Sequence, residues 1–165
     1  MLPIAEIYKA IHDIPYVIMR LPKDWPNYQI GSDIDILTTK PHELMLALTK
    51  AKQKYCEPDT YLAHETLDMG PECENLGHHH FDIINISGAD EYIELRFDLY
   101  DKLPYDIDLS AEMFVASYRP VKCQVDGADF FAKMPYQAAE AILRLLEYQA
   151  HPHKKHHLEW LKENL

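Results

Sequence analysis

The sequence predicts an α+β domain, α/β-like in the order of its elements: a mixed sheet of about five strands flanked by helices, with a C-terminal helical arm. Three observations predict it. Apolar residues recur at helical spacing near both ends of the chain. Short segments between them alternate apolar and polar residues, the period of a strand. The elements run in the order helix, strand, strand, helix, strands, helices. The 165 residues make one domain of ordinary size. A chain of this length buries roughly 70% of its unfolded surface and needs no disulfide or structural metal. Residues 1–103 are read as the core, and 104–165 as a hairpin and helical extension packed on it.

Ile4, Ile7, Tyr8 and Ile11 lie on one face of a short helix within 3–12. Pro15 to Arg20 reads as a buried strand. Pro22 and Pro26 stop that strand and make Leu21 to Tyr28 a loop. After Gly31-Ser32, Asp33 to Leu37 alternates strictly and is a strand. Pro41 opens a helix whose core face is Leu44, Ala47, Leu48, Ala51 and Tyr55. The acid-rich stretch 57–77 reads mostly as loop, with a short strand near Tyr61–Thr66. His80 to Ile86 and Tyr92 to Tyr100 are strands, joined by the turn Ser87-Gly88-Ala89-Asp90, so they pair antiparallel. In the second of them Ile93, Leu95, Phe97 and Leu99 point one way, and Glu94, Arg96 and Asp98 the other. Ser110 is placed to cap a short helix through Ser117. Asp126-Gly127 turns a hairpin between Val121–Val125 and Ala128–Ala132. Pro135 opens a long helix to about residue 149, with Ala138, Ile142, Leu145 and Leu146 as its expected buried face. Pro152 interrupts it or starts a further helical piece through Leu161.

The formal net charge is −11. That argues against a nucleic-acid-binding protein, which would neutralise many phosphates. No apolar run reaches the ~18 residues of a membrane span. Met1 to Glu6 lacks the basic and apolar regions of a signal peptide. Cys56, Cys73 and Cys123 are odd in number and show no CxxC spacing, which points to a reducing, cytoplasmic setting.

The segment that carries chemistry is Gly31-Ser32-Asp33-Ile34-Asp35-Ile36-Leu37. Two aspartates two apart on a strand share a face, roughly 6–7 Å apart along the backbone. Ile34 and Ile36 anchor the other face. A third carboxylate from a neighbouring strand would complete an oxygen site suited to Mg²⁺ or Mn²⁺. Asp98, on the polar face of its strand, is the leading candidate. Asp82 is the competitor, set back because it shares a face with Ile84 and Ile86.

This segment resembles the core motif of the nucleotidyltransferase superfamily that includes DNA polymerase beta and the minimal bacterial nucleotidyltransferases. The resemblance covers roughly residues 1–101. It implies that Asp33, Asp35 and Asp98 bind two Mg²⁺ (or Mn²⁺) ions and are catalytic. It also implies transfer of a nucleoside monophosphate from a nucleoside triphosphate to an acceptor. A helical C-terminal extension also occurs in that superfamily. A strand ending in Leu-Arg, a proline-bearing loop and G-S-D-I-D also resemble nucleotidyltransferase-like proteins of bacterial surface-polysaccharide loci. Most members place a Gly-Ser pair well before the aspartates, where it cradles the triphosphate. Here Gly31-Ser32 abuts Asp33, and the corresponding position falls near Arg20-Leu21-Pro22-Lys23. Ser32 therefore either binds phosphate or caps the strand. Arg20 and Lys23 either replace the glycine loop electrostatically or are ordinary surface cations.

A chain this acidic must gather positive charge locally to hold a triphosphate. Besides Arg20 and Lys23, the candidates are Arg96, whose other role would be a salt bridge to Asp82 or Glu94, and Lys154 with Lys155 in the helical arm. His78 and His80 share a strand face with Asp82, a transition-metal arrangement. His151, His153, His156 and His157 place a further pair on a helix. No carboxylate or cysteine completes a known zinc spacing, so these histidines are read as unligated. His79 or His80 is a candidate base for an acceptor hydroxyl.

The sequence therefore points to a metal-dependent nucleotidyltransferase with a small-molecule acceptor, such as one from a surface-glycan pathway, or a protein hydroxyl. The competing reading is a catalytically silent relative that binds nucleotides or a protein partner. A glycosyltransferase, where a D-x-D also holds a metal, ranks last because the chain is short for the two-substrate folds of that class.

Overall fold

A computed structural model describes residues 2–21, 25–67, 78–103 and 111–165. Lys23, Cys73, Ser110 and the acidic stretch from 68 onward lie outside the described residues. The elements are α1 (Ile4–Ala10), β1 (Tyr16–Ile18), β2 (Ser32–Thr38), α2 (Pro41–Tyr55), β3 (Tyr61–Leu67), β4 (His78–Ser87), β5 (Asp90–Tyr100), α3 (Ala111–Ala116), β6 (Tyr118–Val125), β7 (Ala128–Pro135), α4 (Gln137–Ala150) and α5 (His156–Asn164).

Five strands form one mixed sheet in the order β1-β2-β5-β4-β3. Only β2 and β5 run parallel; the other pairs are antiparallel. This is the α+β, mixed-sheet architecture expected. The parallel pair at the centre joins segments some sixty residues apart in the chain, and local alternation carries no signal for it. The β6–β7 hairpin is a separate two-stranded sheet. Its turn residues Asp126 and Gly127 both have positive φ, at 49° and 78°. Those values suit the right-handed twist of the paired strands, and glycine meets them at no steric cost.

Alternation gives the large sheet two different faces. On one, Ile34, Ile36, Phe81, Phe97 and Leu99 are fully buried. They pack with Ile4, Ile7 and Tyr8 of α1, Leu44 and Leu48 of α2, and Phe130, Ala132 and Met134 of β7. The Tyr8 ring meets Trp25 edge-on, with centroids 5.3 Å apart, and lies 5.3 Å from Phe130. The hairpin thus shares the main core with α1.

The second face is only partly covered. Val17, Met19 and Leu37 pack against Phe114 and Val115 of α3 and Leu143 of α4. One step along each strand that cover ends. Beside Leu37 on this face of β2 stands Asp35, and beside Tyr100 on β5 stands Asp98. The end of an apolar cluster places the carboxylates.

Two sequence expectations are corrected here. The buried face of α4 is not Ala138, Ile142, Leu145 and Leu146. Ala138 is exposed, Ile142 and Leu145 are 44% and 45% exposed, and Leu146 is half-buried. The helix buries Glu140, Ala141, Leu143, Arg144 and Glu147 instead. Glu94 also leaves the face of Arg96 and Asp98. The ladder of β4 and β5 shifts register between Ile83 and Ile84, which leaves Glu94 as the extra residue of a bulge. Its carboxylate accepts hydrogen bonds from the Tyr28 hydroxyl at 2.5 Å and from Asn85 Nδ2 at 2.8 Å. The extra residue lies on β5, so Asp82 keeps the face of Ile84 and Ile86 on β4; it is buried and held by Arg96.

Candidate metal centre and cleft

The parallel register sets Asp35 opposite Asp98 and Asp33 opposite Arg96. Asp33, Asp35 and Asp98 each bring a carboxylate oxygen within 4.8 Å of the others'. Asp33 is exposed, while Asp35 and Asp98 are buried. Burial pushes the Asp35 carboxyl up to about 6, and the charges of Asp33 and Asp98 add to the rise. Arg20 works against it: its guanidinium lies 2.6 Å from Asp35 Oδ2. Converging carboxylates of this kind repel one another, and a divalent cation would relieve the repulsion. Three oxygens without nitrogen or sulfur suit a hard ion such as Mg²⁺ or Mn²⁺, so the donor set fits the ion the resemblance implies.

Beside these aspartates opens a cleft of about 1070 Å³ between the sheet and the C-terminal arm. Asp33, Asp35 and Arg20 line one side; Arg119, Arg144, Lys154 and Trp160 lie among the lining residues opposite, together with Glu140, Glu159 and Glu163. The polar side of α4 organises it. Arg144 Nη2 donates to Glu140 Oε1 at 2.8 Å, and its guanidinium stacks 4.6 Å over the Trp160 ring. Arg119 lies 3.3 Å from the other oxygen of Glu140. Glu147 accepts from Lys154 at 2.5 Å and lies 3.6 Å from Arg20. Burial alone would raise the Glu147 carboxyl, but Lys154 and Arg20 outweigh it and hold it below its ordinary value. A continuous chain of opposite charges therefore runs from Asp35 through Arg20 and Glu147 to Lys154.

The structure brings Asp33, Asp35, Asp98 and Arg20 together and sets Lys154 in the same cleft. It gives Ser32 and Arg96 other partners. Ser32 Oγ donates to the Gln29 carbonyl at 2.5 Å and accepts from the Gln29 amide at 3.1 Å, so it closes the turn into β2. Arg96 donates twice to Asp82, at 2.7 and 2.8 Å. That is the salt bridge named as its alternative role, with Asp82 rather than Glu94. His79 faces away from the aspartates; its ring meets His42 of α2 with centroids 5.4 Å apart.

Sequence reasoning missed the far wall of the cleft and the partner of His80. Glu140 and Arg144 line the far wall of the cleft, and Glu147 ties Arg20 to Lys154; their i, i+4, i+7 spacing was the available signal: α4 has two faces of helical period, and charge marks the buried one. His80 lies opposite Asp98, with Nδ1 2.6 Å from Oδ1. That pairing depends on strand register and has no spacing signature. No family profile, curated protein or solved structure matches the chain.

Proposed function

We propose that the protein is a metal-dependent nucleotidyltransferase acting on a small hydroxyl acceptor. The convergence of Asp33, Asp35 and Asp98 beside a cleft of nucleotide size carries this reading. These three carboxylates would hold the divalent cations, which when bound neutralise the triphosphate and stabilise the entering and leaving oxygens of an in-line displacement. In the reaction the acceptor oxygen bonds to the α-phosphorus as the bond to the bridging oxygen breaks. Pyrophosphate leaves, and the hydroxyl proton passes to solvent. Arg20, released from Asp35 once a cation takes over that carboxylate, is in reach of a phosphate. Trp160, held by the Arg144 guanidinium stacked on its ring, lines the cleft where a base or sugar can lie.

The main cations of the cleft have acidic partners already. A triphosphate therefore gains little net charge from the protein, and its binding depends on the divalent ion. Titration of a non-hydrolysable triphosphate with Mg²⁺ and with EDTA tests this. Binding with Mg²⁺ should be lost in EDTA and weakened at least ~10-fold in Asp35→Asn, the scale of losing even an outer metal partner. Pyrophosphate release on adding sugar phosphates or alcohols would then identify the acceptor.

One observation favours the second reading, a silent nucleotide-binding or interaction module. Ser32 Oγ is spent on the carbonyl of Gln29 in its own loop and is not turned toward a phosphate. Triphosphate binding that ignores EDTA, or none at all, would favour that reading.

A further inference from the structure

We propose that His78, His80 and Asp98 form a second cation site, one that takes a borderline transition ion such as Zn²⁺ or Co²⁺ rather than Mg²⁺. The site goes beyond the transferase reading and stands without it. β4 carries His78 and His80 two residues apart, hence on one face. The register with β5 sets His80 opposite Asp98 and His78 opposite Tyr100. His80 Nδ1 lies 2.6 Å from Asp98 Oδ1, and His78 Nε2 lies 3.9 Å from the same oxygen. One ligand atom from each side chain lies within 4.8 Å of the other two.

An ion with bonds of about 2.0–2.1 Å in tetrahedral geometry holds its ligand atoms about 3.3 Å apart. The 3.9 Å separation needs a small contraction. The 2.6 Å separation opens as an ion takes the place of the hydrogen between His80 and Asp98. The imidazole then carries its proton on Nε2. The His78 ring is also braced, since Tyr100 stacks on it with centroids 4.2 Å apart at 11°. Such support holds a ligand ring in place before the ion arrives.

Two nitrogens and one oxygen suit Zn²⁺, Co²⁺ or Ni²⁺, whereas the all-oxygen cluster of Asp33, Asp35 and Asp98 suits Mg²⁺. Asp98 belongs to both groups. The two positions are therefore adjacent and chemically unlike, and a shared carboxylate joins them.

Co²⁺ is the probe, titrated into the full chain in the presence of excess Mg²⁺. One equivalent should bind and develop a visible ligand-field band, unaffected by Asp33→Asn. His78→Gln and His80→Gln should each weaken Co²⁺ by at least the ~10–100-fold that loss of an outer partner costs. Equal Co²⁺ affinity in wild type and in both histidine variants would overturn the proposal. If those variants fail to fold, paramagnetic NMR of the wild-type chain decides. The ring protons of His78 and His80 should shift strongly with Co²⁺. Unshifted His78 and His80 rings would overturn the proposal as well. Loss of Mg²⁺-dependent triphosphate binding in Asp35→Asn with Co²⁺ binding retained would separate this site from the transferase reading.

Discussion

Asp35 concentrates the tension of the site in one side chain. It is buried beside two other aspartates, and Arg20 offsets only part of the cost. Its carboxyl is raised from 3.8 to about 6. A raised folded-state value means that the neutral form is the one the fold favours. The stabilisation is present in full below pH 3.8 and is lost as the pH rises through 6. Asp35→Asn should therefore match wild type near pH 4 and be more stable at pH 8, on the order of 1–3 kcal/mol. Thermal melts of the metal-free protein at both pH values check this. A variant less stable than wild type at pH 8 would mark Asp35 as a structural anchor for Arg20. Arg96 makes the opposite case. It neutralises Asp82, a carboxylate only 3% exposed. Arg96→Met leaves that buried charge unpaired and should cost about 1.5–3 kcal/mol. Triphosphate affinity should hardly change, because Arg96 is already spoken for. Urea unfolding and nucleotide titration of the same variant separate the two roles.

At the scale of elements, the parts legible in the sequence were those decided locally. The alternation of β2 was visible because Ile34 and Ile36 must face a core, and that placed Asp33 and Asp35 on the opposite side. Asp126-Gly127 was visible because the turn needs positive φ at both positions. Pairings between distant segments were not legible. The adjacency of β2 and β5, the facing of His80 and Asp98, and the bulge at Glu94 arise from tertiary register. α4 misled for a different reason. Periodicity reports that a helix has two faces and leaves open which one is covered, and here ion pairs and Trp160 cover the charged one. The reversal is testable. Leu143→Ala should cost about 2–5 kcal/mol as a core truncation. Ile142→Lys and Leu145→Lys should stay within about 0.5 kcal/mol of wild type, as exposed substitutions do. Denaturant midpoints decide, and a severe loss in either lysine variant would restore the apolar face to the core. In α5, His157 is fully buried, and neither ring nitrogen has a hydrogen-bond partner among the described residues. Burial, then the charges of His156 and Arg20, lower it from 6.5 to about 4. Its contribution is present above pH 6.5 and is lost as the pH falls toward 4. His157→Phe should flatten that part of the acid limb in melts recorded across the interval.

The whole molecule carries 27 acidic against 16 basic side chains. Among the described residues the basic ones at the cleft are paired with acids rather than gathered into an exposed stripe. Arg20 and Lys154 share Glu147, and Arg119 and Arg144 share Glu140. A polyanion approaching this cleft meets paired charges and the field of a −11 chain. Nucleic-acid binding draws on the release of counterions by free lysines and arginines, and non-specific contacts reach Kd values of only ~10⁻⁴–10⁻⁶ M at physiological salt even in proteins built for it. A small acceptor has no such requirement, since one triphosphate with its cations brings near-balanced charge into the site. Among the described residues no helix is long and apolar enough to cross a membrane. The expected outcome is that neither single-stranded RNA nor duplex DNA shifts with the protein in a mobility assay at low salt, with or without Mg²⁺. Low salt is the demanding condition, because screening is weakest and even modest phosphate contacts become visible. Sub-micromolar binding there would mean that the ion pairs of the cleft open for a polymer, and the acceptor would have to be sought among nucleic acids.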